Sequence, residues 1–285
     1  MAAFVQGLRK HLFMGYSAAM LAVFFLIPFA IMIRMSFNHR VESGFYLPGW
    51  ELTHYKRFFS PLFTNHLWVT IEFAVMTAAL AVLIAFPFTF FLSRYSRRIQ
   101  VVVLVFVLSV LSLSEVIVAY SWSVLLSKPA GISNLLVWLG LMEKSTSWAR
   151  GFWAMILSLT YFNLPIAVLI MYPQCTRLDR EVTEAAQTLG ASPVRTFITI
   201  VIPMLRTTIM TAFIILLVFT MGAFVTPTWL GRPEHWMYAM LISDEALLRG
   251  NFPFAAALGM LFLLVTMILV GLTVLLGRQG KRHMP

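Results

Sequence analysis

The sequence predicts an all-α polytopic membrane protein with six transmembrane helices and both termini in the cytoplasm. Of its 285 residues, 60% are hydrophobic and 11% charged, far outside the range of a soluble domain. Apolar runs of roughly 20 residues, the length of a bilayer crossing, recur along the chain. Basic residues gather beside the ends of alternate runs.

Residues 1–15 carry Arg9, Lys10 and His11, and the first run covers 16–35. It is too long for a signal-peptide core and lacks a small-x-small cleavage site, so it reads as a retained span. A polar, aromatic-rich loop with Pro48, Trp50 and Tyr55 precedes the second span, 67–92, which holds Pro87 near its end. A tight loop with Arg94, Arg97 and Arg98 leads to the third span, 101–126. A loop with Pro129, Gly131 and Gly140 precedes the fourth, 151–172, which contains Pro165. The fifth is expected over 208–230, with Gly222 and Pro227 inside it, and the sixth over 253–277. The whole chain, 1–285, reads as one transmembrane domain with a core of 65–277 and a loop at 173–207. It shows no internal repeat.

Charge orients these spans. Twelve of the 21 lysines and arginines lie on the side of the N-terminus, with three acids, Asp179, Glu181 and Glu184. The other nine spread over three longer loops with six acids. The short basic loop, both basic ends and the 173–207 loop are therefore expected in the cytoplasm. The net charge of +10 follows from the same asymmetry, with anionic headgroups rather than nucleic acid as neighbours.

Catalysis finds no support. A single cysteine, Cys175, excludes an intrachain disulfide and a cysteine zinc site, and the six histidines show no ligand spacing. There is no phosphate-binding Gly-x4-Gly-Lys-Ser/Thr loop, nucleophile elbow or dinucleotide fingerprint.

The 173–207 loop reads as two short helices meeting at a turn. Asp179 is placed to cap the first, and Gly190 to end it in a left-handed conformation. Ser192-Pro193 looks like an N-cap followed by proline at the first helical position. Phe197, Ile198, Val201 and Ile202 give the second helix an apolar side, and Pro203 is expected to stop or kink it. Ala185 and Ala186 beside Glu184 offer a small surface that another protein can approach closely.

The full spacing, Glu184-Ala185-Ala186-x3-Gly190-x9-Ile200-x-Ile202-Pro203, resembles the EAA loop of ABC-importer permeases, with Ile202 where leucine is usual. The resemblance implies a type I ABC importer permease fold in the bacterial inner membrane. It makes the loop a coupling helix seated in a groove of an ATP-hydrolysing partner, with Glu184, Ala185, Ala186, Gly190 and Pro203 as the coupling residues. No cofactor is implied in this chain; ATP and Mg are held by two copies of that partner.

Further stretches resemble the permeases of spermidine/putrescine systems: Leu136-Val137-Trp138-Leu139-Gly140, Leu164-Pro165, Phe224-Val225-x-Pro227-x-x-Leu230-Gly231 and Phe252-Pro253-Phe254-Ala255-Ala256-Ala257. This implies a polyamine solute, a second homologous permease and an extracytoplasmic solute-binding protein. The third span departs from that pattern. Where those permeases often carry Trp and Arg ahead of Tyr, this chain has Ser114-Glu115 ahead of Tyr120, and an added acid suits a cationic ligand.

Two acids fall within spans, where burial in lipid is costly. Glu72 lies roughly 8 Å into the second span and Glu115 roughly 21 Å into the third at 1.5 Å per residue. Both are candidates for the translocation path or for structural hydrogen bonding. Asn163 lies near mid-depth beside Pro165, which can bend the helix and open a cavity, or it serves an interhelical hydrogen bond. Tyr120, Trp122 and Tyr161 are candidates for an aromatic cage around a cation, or for packing. The competing function is an ion-coupled carrier with Glu72 or Glu115 as proton relay, which leaves the EAA spacing unused. Opines, amino-acid derivatives and other small solutes are the alternative cargoes.

Overall fold

The computed structural model of the chain describes residues 15–16, 19–41 and 46–279, with side chains through Leu275. Arg9, Lys10, His11, Lys281 and Arg282, on which the expected basic ends rest, lie outside the described residues. All regular elements among the described residues are helices, apart from one isolated antiparallel bridge between His39 and Leu47. Helices satisfy every backbone group within the segment, as a chain in hydrocarbon requires.

We number the helices α1 (Ala19–Met35), α2 (Thr53–Phe58), α3 (Pro61–Leu92), α4 (Arg97–Leu111), α5 (Glu115–Leu125), α6 (Ile132–Trp138), α7 (Phe152–Arg177), α8 (Arg180–Thr188), α9 (Pro193–Met221), α10 (Val225–Leu230), α11 (Tyr238–Ser243) and α12 (Phe252–Gln279). Four of them, α3, α7, α9 and α12, are long and apolar enough to cross a membrane. The expected six uninterrupted spans are corrected in two places.

α1 has 17 described residues, about 25 Å at 1.5 Å per residue, and residues 17 and 18 just ahead of it lie outside the described ones.

The first correction is the third span, which is a bent pair. α4 and α5 meet at 92°. Ser112 closes α4 and Ser114 opens α5 from an extended backbone, φ −62° and ψ 136°. Serine side chains compete for backbone partners and so favour helix ends, as the bonds from Ser109 Oγ to Val105 O (2.8 Å) and from Ser112 Oγ to Leu108 O (3.1 Å) illustrate.

The second is the fifth span, which starts earlier and ends earlier than expected. α9 runs from Pro193 through Pro203 to Met221 and stops at Gly222; Val225–Leu230 forms the separate α10. Pro203 neither stops nor ends it. A widened π turn, Phe197–Val201, closed by Ile202 N donating to Phe197 O, lies just ahead of the proline. There the ring would otherwise press on the carbonyl four residues back. Pro227 sits in the first turn of α10, where its missing N–H costs nothing.

The chain divides into two compact units, Met1–Thr64 with Leu241–Leu264, and Asn65–Met240 with Val265–Pro285. In the first, buried Glu245 meets Arg249 at 3.2 Å and Arg57 at 3.8 Å. Arg57 also lies 4.5 Å over the Phe254 ring, so the carboxylate is paired as its burial demands. In the second unit α9, α5 and α4 each pack on α7, and α10 packs on α5 and α7. Its core gathers Phe73, Leu126, Met155, Ile156, Leu159 and Leu230.

Candidate functional site

The turn between α8 and α9 is built from short-range signals. Asp179 Oδ1 accepts from Glu181 N at 3.1 Å and caps α8. At the other end, Gly190 N donates to Gln187 O (2.9 Å) and Ala191 N to Ala186 O (3.1 Å), the two bonds of a Schellman closure. Gly190 has φ +89°, and a Cβ there would meet nothing within 4 Å. Backbone conformation rather than space therefore requires glycine. Ser192 Oγ then accepts from Arg195 N at 3.3 Å, with Pro193 in the first helical turn.

The turn presents Glu184 and Ala185 outward, while Ala186 is buried, so the two alanines do not share one face. Leu189 is 89% exposed and Val194 68%. A small residue beside exposed aliphatics is suited to close contact with another protein. Pro203 lies outside the turn, half-buried within α9. Behind the turn is a cavity of about 400 Å³, lined by Phe90, Phe91, Arg94, Arg180, Glu184 and Phe197 among others.

The residues expected along the path are dispersed. Glu115 Oε1 accepts from Thr226 N (3.2 Å) and Thr226 Oγ1 (3.0 Å), which places its carboxylate on the first turn of α10. An acid there satisfies an orphan N–H and meets the positive end of the helix. Glu72 is exposed on α3. Asn163 is buried and donates to Thr220 Oγ1 on α9 at 2.7 Å. Thr77 Oγ1 on α3 lies 3.5 Å from the same oxygen.

The cavity beside Pro165, about 230 Å³, is lined by Phe88, Phe106, Val107, Tyr161 and Leu164 among others, and Asn163 is not in its wall. The three aromatics do not form one cage. Trp122 pairs with Tyr161, ring centroids 5.9 Å apart, in the wall of a cavity of about 290 Å³. Tyr120 pairs instead with Trp229 at 5.8 Å. Residues two apart on a helix face different sides, which separates Tyr120 from Trp122. Thr226, Thr220 and Trp229 carry no local sequence signal for these contacts.

Residues 80–279 match the family model of the binding-protein-dependent transport system inner membrane component. The chain belongs to that family. It is 26% identical over 256 residues to the spermidine/putrescine transport system permease protein PotB of Haemophilus influenzae, covering 90% of this chain and 86% of that one. It is 27% identical over 237 residues to the inner membrane ABC transporter permease protein YdcU of Escherichia coli K12, covering 79% and 74%. Among solved structures, a bacterial ABC transporter involved in the import of alginate matches with a TM-score of 0.74 at 18% identity, over 98% of this chain and 99% of that one.

The chain is thus a multi-pass ABC-importer permease of the inner membrane, with the fold of that class, and not an enzyme. The family model covers α9 and the turn before it, and starts within α3.

Proposed function

We propose that this chain forms half of the translocation path of an ATP-driven importer for a polyamine such as putrescine or spermidine. The solute assignment rests on the likeness to PotB over 90% of the chain. Trp122 and Tyr161, facing one cavity, are the best-placed of the path residues to meet a cationic chain. A second, homologous permease completes the path, a solute-binding protein delivers the ligand, and two ATPase subunits hold ATP and Mg.

The turn at 178–192 lies in the cytoplasm in this reading, as do both termini. Glu184, Ala185, Ala186 and Gly190 form the element that enters the ATPase groove. α9 carries the motion inward, because the chain is helical without a break from Pro193 to Met221. A displacement of the turn moves a rod packed on α7 and tied to Asn163 near its far end.

The test is uptake of labelled putrescine into proteoliposomes that hold the assembled importer, its binding protein and ATP. ATP-dependent uptake is expected, with loss in Gly190→Asp despite normal membrane insertion. Unimpaired uptake in that variant removes the coupling role. Uptake of a neutral solute in place of polyamines removes the solute assignment.

A further inference from the structure

Two residues that line the cavity behind the turn carry buried polar atoms with no hydrogen-bond partner among the described residues. They are Nη2 of Arg94 and Oγ1 of Thr196. Thr196 is 2% exposed. Each unmade buried bond is costly, and more so for a charged group. Orphans of this kind are uncommon in folded proteins unless something else supplies the partner. A guanidinium can only donate, so the missing partner is an acceptor.

The charge balance of the cavity says which kind. Arg180 lines it with Arg94, and Arg180 Nη2 donates to the backbone carbonyl of Arg94 at 3.2 Å, tying the Arg180 side chain to the Arg94 backbone. Burial first, and then the Arg180 charge, lower the pKa of Arg94. Glu184 is the one acid in the cavity wall among the described residues, and it makes no ion pair with either arginine there. Two cations against one carboxylate leave the wall positive.

Thr183 and Gln187 add neutral polar groups, and the remainder of the wall is apolar. Phe197 lies 5.2 Å from Phe90 and 6.2 Å from Phe91, and the Arg94 guanidinium lies 4.8 Å over the Phe90 ring. Phe91 is 58% exposed and Val194 68%, so the rim is greasy and accessible. The cavity also adjoins the end of α3 at Leu92, where an apolar helix gives way to a basic loop. A soluble anion would occupy the polar half and leave the aromatic half unfilled.

We propose that this cavity binds an anionic phospholipid, its phosphodiester accepting from Arg94, Arg180 and Thr196 while its acyl chains lie along Phe91, Val194 and Phe197. The two free oxygens of a phosphodiester match the planar donor fork of arginine. Basic pockets at the cytoplasmic edge of membrane helices favour such headgroups. The lipid would bridge the 93–96 loop and the turn, so that bilayer composition acts directly on the element beside Glu184.

The test uses the purified permease in its assembled complex, in nanodiscs. A Phe91→Trp variant serves as reporter, with its emission read as the difference from the parent protein. Phosphatidylglycerol with brominated acyl chains is expected to quench the reporter saturably, at a several-fold lower mole fraction than equally brominated phosphatidylcholine. Adding Arg94→Gln and Arg180→Gln should raise the required mole fraction about tenfold, as expected for lost charge-assisted bonds.

Equal quenching by the two lipids, or no change in the double variant, overturns the site. Relief of quenching by glycerol phosphate as effective as relief by unlabelled phosphatidylglycerol would make it a free-anion site and overturn the lipid assignment. Native mass spectrometry of the unmodified protein tests it without substitutions. At least one phosphatidylglycerol per chain should survive detergent extraction, and retention of none, or of phosphatidylcholine equally, counts against it.

Discussion

Glu115 holds both donors of Thr226 with a single carboxylate oxygen, the arrangement of a helix cap. Replacing it with alanine strands the Thr226 N–H and is expected to cost about 1–2 kcal/mol, seen as faster hydrogen exchange over 225–230. Glu115→Gln keeps an acceptor oxygen and should leave that exchange near the parent rate. If the charge meets a cationic solute instead, Glu115→Gln raises the KM for uptake several-fold with α10 protected. Gly190 makes a sharper case. Its φ of +89° is costly for any residue with a Cβ, by about 1–2 kcal/mol. Gly190→Ala should therefore loosen the bond from Ala191 N to Ala186 O while leaving the transmembrane helices protected, which exchange at 186–192 reads directly.

At the scale of elements, the loop ahead of α2 carries a pH dependence. The hydrogen bond from His39 Nδ1 to Glu51 Oε2, 2.9 Å, is the main reason the Glu51 carboxyl lies below its ordinary value. A depressed carboxylate pKa stabilises the fold above the unfolded value, and that contribution disappears as pH falls through the lower folded value. Protection of the His39–Leu47 bridge, corrected for intrinsic exchange, should accordingly decline on acidification across that window. The decline should vanish in Glu51→Gln. The bend between α4 and α5 belongs to the same scale. Fifteen and eleven residues make rods of about 22 and 16 Å, so neither crosses a bilayer alone, and the 92° angle sends the chain sideways at Ser112–Ser114.

For the whole molecule, the apolar surface left open is the informative feature. On α12, Leu264, Met267 and Ile268 are exposed, as are Phe24 and Phe25 on α1. In a chain of the inner membrane these faces are open to lipid or to the proposed second permease. Met267→Asp should lower the yield in the membrane fraction, since an aspartate at mid-span costs about 2.5–3.5 kcal/mol on insertion. Met267→Leu should not. A reporter fused after Pro285 is expected to read as cytoplasmic, and a periplasmic readout would reverse the proposed side of the turn.

Sequence alone determined whatever rests on neighbours in the chain. The apolar runs of α3, α7 and α12, the Asp179 and Ser192 caps, and the left-handed Gly190 all follow from composition or from spacings of a few residues. The helix break at Gly222 was not legible there, since the sequence placed Gly222 and Pro227 inside a single span over 208–230. The EAA spacing identified the family because its residues lie within one turn and its flanking helices. Tertiary structure decided what depends on distant partners. Glu115 and Thr226 are 111 positions apart, and Asn163 and Thr220 are 57 apart. Nothing local to either residue encodes which carboxylate or amide will meet it. The same holds for Arg94 and Thr196, whose shared cavity exists only once α3, α8 and α9 converge, because burial is a property of packing and not of residue type.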